Sequence, residues 1–86
     1  MKATQTMGTQ IVVLDRGFVY VGTVTREEDL VVITNAKNIR RWGTTKGLGE
    51  LAAEGPKSNT KLDDAGTVRA PLRAVVHFIE CKHLSW

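Results

Sequence analysis

Short β-branched runs separated by turn residues constrain the fold of this chain more than any other feature. Residues 10–24 contain two such runs, divided by Asp15-Arg16-Gly17, and residues 30–36 contain a third. Val, Ile and Thr favour extended backbone, whereas Asp and Gly favour turns. The polar stretch 25–30 between the second and third runs predicts a surface hairpin turn. We therefore expect a meander of antiparallel strands.

A change of period marks the one predicted helix. Residues 38–42 are interpreted as a short strand that ends at the glycine-rich tract. Apolar residues then recur at helical spacing, at Leu48, Leu51 and Ala52. Gly55-Pro56 supplies a stop signal. These features predict a helix over residues 45–54.

The flanking segments complete the predicted organisation. Residues 57–66 are rich in turn formers and are interpreted as a polar loop, and residues 67–81 as the last strand. Pro71 cannot donate to a ladder, so it predicts an edge or a bend within that strand. Residues 1–9 have turn formers without periodicity, which predicts a flexible lead-in before a single domain over 10–86.

The composition is that of one small globular domain. The chain has 86 residues, of which 42% are apolar and 24% charged, with a formal net charge of +3. A charge this small favours anionic partners only weakly. No apolar run is long enough to cross a bilayer, and Cys81 is the single cysteine, so we expect a cytoplasmic protein without an internal disulfide.

We predict a mainly β fold, either a small, strongly bent antiparallel sheet or a barrel of about five strands with one short inserted helix. A flat sheet of this size would leave its edges and one apolar face open. The order of elements resembles the Sm-like and SH3-like barrels, in which an acidic turn joins a strand pair and an arginine precedes the last hydrophobic strand. Here Glu27-Glu28-Asp29 and either Arg69 or Arg73 hold comparable places, whereas the helix over 45–54 departs from the pattern.

A closer resemblance lies in particular motifs. The stretches "RGFVYVG", "IRRWGTTKGLGELA" and "GTVRAP" resemble a family of small uncharacterised phage and prophage proteins, over most of residues 15–80. The resemblance implies a phage origin. It supplies no catalytic or binding residues.

The glycine-rich tract is the leading candidate for a ligand site. Gly43 and Gly47 allow close backbone approach, Thr44 or Thr45 could cap the helix, and Lys46 could neutralise an anion. This combination suits a phosphate group, although the spacing matches neither a Walker loop nor a dinucleotide fingerprint. The alternative is a tight connection whose glycines serve geometry alone.

Five further side chains extend this candidate site. Arg40 and Arg41 could make bidentate phosphate contacts, and Trp42 could stack on a base or, alternatively, cover the core. Arg69 and Arg73, four residues apart on a strand, would point the same way and could reach the ligand from a neighbouring subunit. The alternative for these two is a salt bridge to the acidic turn.

No set of residues predicts catalysis or a cofactor. His77, Cys81 and His83 are the only candidate metal ligands, and packing explains them better. We predict a non-enzymatic, phage-encoded binding module, a homo-oligomer that holds a nucleotide-like ligand and could sequester it as a counter-defence protein. The alternatives are an Sm-like protein that binds RNA or DNA, and a structural virion or assembly protein. The predicted ligand contacts are Arg40, Arg41, Trp42, Gly43, Thr44, Thr45, Lys46, Gly47, Arg69 and Arg73.

Overall fold

A computed structural model describes residues 4–86 as an antiparallel sheet with one short helix. Two 3-10 turns, Asp15–Gly17 and Leu72–Ala74, interrupt the chain between strands. The elements are β1 (Thr4–Leu14), β2 (Val19–Glu27), β3 (Leu30–Arg41), α1 (Leu48–Glu54), β4 (Lys61–Pro71) and β5 (Val75–Glu80). The predicted mainly β fold of about five strands with one short helix is confirmed.

The strands lie in the order β4-β3-β2-β1-β5, and every neighbouring pair is antiparallel. The described strands β4 and β5 do not pair with each other, so the sheet is open and does not close into a barrel. The hairpin turn between β2 and β3 is the acidic one that the sequence predicts, and Glu28 adopts a positive φ of 54° there.

The first strand begins earlier than predicted. Thr4 pairs with Glu27 and Thr6 pairs with Thr25, so the lead-in predicted over residues 1–9 is wrong for residues 4–9. The remainder of that lead-in lies outside the described residues. Pairing with β2 supplies the backbone hydrogen bonds that local sequence features did not indicate.

Strands β3 and β4 are both longer than predicted. The separate strands predicted over 30–36 and 38–42 form one strand, which accommodates Asn35 at a positive φ of 52° through irregular pairing. The loop predicted over 57–66 ends at Thr60, because residues from Lys61 onward pair with β3. The predicted break at Pro71 is confirmed, and Pro71 is the last residue of an edge strand.

Apolar side chains pack on both faces of the sheet. On one face, α1 covers strand residues such as Ile11 and Val21 through its buried Leu51. On the other face, a second cluster around Val12 and Ile33 takes side chains from all five strands. The four strand residues and Leu51 are each fully buried. The sheet therefore carries one apolar cluster on each of its faces, and α1 covers the first of them.

The C-terminal tail after β5 holds the helix against the sheet. The backbone amides of Lys82 and His83 both donate to the carbonyl oxygen of Ala52 in α1, at 2.8 and 3.1 Å. The indole of Trp86 packs against the cluster under α1, and its Nε1 donates to the carbonyl of His83 at 2.8 Å. No helix between Thr4 and Trp86 has the length and apolarity needed to span a bilayer.

Candidate functional site

The chain leaves β3 through a tightly packed connection. Arg41, the last residue of β3, pairs with Lys61 at the start of β4. The hydroxyl of Thr60 donates to the carbonyl oxygen of Trp42 at 2.7 Å. Gly43 has a φ of 66°, and a Cβ there would lie 2.5 Å from the backbone of Asn59. This glycine is therefore required by a close backbone approach.

The connection from Thr44 to Gly47 is closed by groups of the chain itself. The amide of Gly47 donates to the hydroxyl of Thr44 at 3.1 Å. The amide of Lys46 and the hydroxyl of Thr45 both donate to the carboxylate of Glu50, at 3.1 and 3.2 Å. The carboxylate of Glu50 therefore supplies the negative charge beside this loop. The amides of Lys46 and Gly47, which were predicted to wrap a phosphate, already donate within the chain.

Helix α1 begins later than predicted. It starts at Leu48, and its N-cap is Gly47 at a φ of 85°, without a side-chain cap. The prediction that Thr44 or Thr45 caps the helix is wrong, because Thr44 accepts from an amide before the helix and Thr45 donates to Glu50. Glu50 does lie in the first turn, as predicted, and its carboxylate also lies 3.8 Å from the ammonium of Lys57.

The two adjacent arginines have different surroundings. Arg40 forms an ion pair with Asp63 in β4, with 2.8 Å between its Nε and the carboxylate oxygen. Arg41 is exposed beside Lys61, and Lys46 is exposed in the connection. Within the described part of the chain, no carboxylate lies within ion-pair distance of these last three cations.

We call Arg41, Trp42, Lys46 and Lys61 the basic corner. Trp42 is 43% exposed, and its ring lies beside Gly47 without joining either apolar cluster. The alternative in which this indole covers the core is therefore not what the structure shows. Sequence reasoning missed Lys61, because its proximity to Arg41 depends on the β3–β4 register.

Arg69 and Arg73 lie far from the basic corner within one chain. Arg69 pairs with Val32, eight residues along β4 from Lys61, which corresponds to about 25 Å. Arg73 lies in the 3-10 turn after β4, so the prediction that both arginines point the same way on one strand is wrong. Neither forms a salt bridge with another described residue.

The candidate metal ligands have separate surroundings. His77 is exposed on β5, whereas the ring of His83 packs edge-on against Trp86 with 5.5 Å between the ring centroids. Burial raises the pKa of the Cys81 thiol to about 11. Residues 4–86 contain no group of three His, Cys, Asp or Glu side chains that could share a metal ion.

The sheet face beside α1 carries a polar surface that sequence reasoning missed. Partners in an antiparallel ladder share a face, and Thr9 pairs with Thr23, which in turn pairs with Thr34. Thr6 and Thr25 form the next pair along the same face. We call these five residues the threonine face. A shallow groove of about 200 Å³ runs from it to Trp86.

The basic corner and the threonine face are thus two polar surfaces that the fold assembles from separate elements. No protein family, curated protein or solved structure matches the chain.

Proposed function

We propose that this protein is a non-enzymatic binding module that holds a phosphate-bearing, nucleotide-like ligand at the basic corner. The observation that carries the proposal is the placing of three exposed cations, Arg41, Lys46 and Lys61, beside a half-exposed indole without carboxylate partners in the described chain. A cation that is already paired with a carboxylate must break that ion pair before it can bind a phosphate, which opposes ligand binding. These three cations form no ion pair within the described chain.

Each group has a distinct role in this proposal. The planar guanidinium of Arg41 contacts two phosphate oxygens at once, whereas the ammonium groups of Lys46 and Lys61 act as point charges. The indole of Trp42 stacks on a base. The loop amides take no part, because Lys46 and Gly47 donate within the chain. Binding therefore depends on side chains.

A phage origin, which the sequence resemblance implies, suggests a counter-defence role for such binding. A small protein that retains a signalling nucleotide of bacterial defence would keep that nucleotide from its host receptor. The resemblance supports this role, and the chemistry of the corner is compatible with it.

Calorimetric titration with ATP, AMP, adenosine and inorganic phosphate tests the proposal. We expect affinity to rise with the number of phosphates and Arg41→Ala to weaken ATP binding about tenfold. Trp42→Ala should weaken ATP binding but leave inorganic phosphate unaffected. Arg73→Ala is the matched control and should change neither. Absence of ATP binding at millimolar concentration would overturn the proposal.

The same titrations distinguish the Sm-like alternative, in which the corner binds RNA or DNA. Binding of a single-stranded oligonucleotide that weakens linearly with the logarithm of salt concentration, with a slope of several charges, would favour a polynucleotide ligand. A mononucleotide contacts fewer charges and should show a shallower slope. A structural virion or assembly protein would bind neither.

A further inference from the structure

Half of β1 has no described strand paired with its outer side. Strand β5 pairs with β1 only from Gln10 to Leu14. The chain leaves the sheet where the amide of Cys81 donates to the carbonyl oxygen of Thr9, and it then turns towards α1. The outer edge of β1 over Thr4–Gly8 therefore faces solvent, over a length of about 17 Å.

This open edge lacks the charges that protect the other edges. Strand β1 contains no charged residue and no proline from Thr4 to Leu14. The edge strand β4, by contrast, carries five such residues, Lys61, Asp63, Asp64, Arg69 and Pro71. Charges and prolines are the usual means of preventing edge-to-edge pairing. The described part of the open edge has a β-bulge at Met7, and the side-chain amide of Gln10 donates to the carbonyl oxygen of Met7 at 2.7 Å.

We propose that Thr4–Gly8 pairs antiparallel with the same segment of a second copy of this chain, which joins two five-stranded sheets across a two-fold axis. In such an isologous contact residue i meets residue j of the second copy and j meets i, so only the residue on the axis meets its own counterpart. A charged residue there would meet a like charge, which destabilises a strand pair. An uncharged segment is therefore suited to self-pairing, and β5, which carries His77 and Glu80, is not.

Thr6 is the middle residue of the unpaired segment Thr4–Gly8, so the contact is centred on Thr6. Pairing Thr4 with Gly8 of the second copy places the two Thr6 residues opposite each other. It covers the unpaired edge of β1 in both copies without displacing β5. A two-fold axis perpendicular to the sheet keeps the threonine faces of both copies on the same side. The basic corner lies at the end of β3, in the connection after it and at the start of β4, away from this contact, so dimerisation and ligand binding can fail separately.

Sedimentation velocity, measured from micromolar to millimolar protein concentration, tests the proposal. The variants place either a positive or a negative charge at position 6. Thr6 is exposed, so Thr6→Lys and Thr6→Glu should each fold. Each variant alone should dimerise about tenfold more weakly than the wild type, because like charges meet across the axis. A mixture of the two variants should restore the dimer, since opposite charges then meet. Circular dichroism verifies that each variant keeps its strands.

Two control variants carry the same added charge elsewhere. Thr34 lies on the same face in β3, and Thr67 lies on β4, the strand at the opposite edge of the sheet; both positions are exposed. Thr34→Lys and Thr67→Lys should therefore both dimerise as the wild type does. A wild-type monomer at every concentration would overturn the proposal, as would an undiminished Thr6→Lys dimer. Loss of the dimer in Thr34→Lys would point to face packing instead, and loss in Thr67→Lys to the β4 edge.

Discussion

Two glycines at opposite ends of α1 show how much a single missing side chain matters. Gly55 ends the helix at a φ of 88°, and a Cβ there would lie 2.5 Å from the ring of His83. Gly49 lies inside the helix, and a Cβ there would meet no atom within 4 Å. The first glycine is required by conformation and by tail packing, whereas the second weakens the helix.

We predict opposite effects for the same substitution at these two positions. Gly55→Ala should lower the free energy of unfolding by about 2 kcal/mol, because it adds both backbone strain and a clash with the tail. Gly49→Ala should raise it by about 0.5–1 kcal/mol through improved helix propensity. Urea denaturation of both variants measures the difference. Equal effects would contradict both the positive φ of Gly55 and the contact of the tail with it.

The carboxylate of Glu50 gives a second prediction at the residue scale. It holds the amide of Lys46 and the hydroxyl of Thr45, so it places a negative charge beside the basic corner. Glu50→Gln keeps an acceptor oxygen but removes the charge, and we expect ATP affinity to rise about threefold. Calorimetric titration measures this change. A fall in affinity would show that Glu50 orders the corner more than it repels the ligand.

Among the elements, the C-terminal tail ties α1 to the end of the sheet through backbone hydrogen bonds to Ala52. Trp86 combines apolar packing under α1 with a hydrogen bond to His83. We predict that Trp86→Ala lowers the free energy of unfolding by about 2 kcal/mol, since both contacts disappear. Leu84→Ala is the control, because Leu84 is 70% exposed and its loss should cost less than about 0.5 kcal/mol. Thermal denaturation compares the two.

At the scale of the whole molecule, one sheet separates two apolar clusters. Ile11 lies in the cluster under α1, and Ile33 lies in the cluster on the opposite face; both are fully buried. We predict that Ile11→Val and Ile33→Val each lower the free energy of unfolding by about 1 kcal/mol. The double variant should show the sum within about 0.5 kcal/mol, because the side chains share no partners. A larger deviation in urea denaturation would indicate coupling through the sheet.

Local chemistry explains which elements could be predicted from the sequence. The acidic turn between β2 and β3 and the existence of α1 follow from turn formers and apolar spacing, which act over a few residues. The start of β1 at Thr4 could not be predicted, since that segment is a strand because β2 pairs with it. Lys61 likewise lies in β4 because β3 is its neighbour.

The amino-acid sequence alone determined that this chain forms a mainly β sheet with one helix, because strand and turn preferences are properties of neighbouring residues. Tertiary structure decided the candidate site. Only the fold brings Asp63 to Arg40, Glu50 to the amide of Lys46, and Lys61 to Arg41. Those contacts depend on strand register and on the path of the chain around α1. They determine which cations remain exposed.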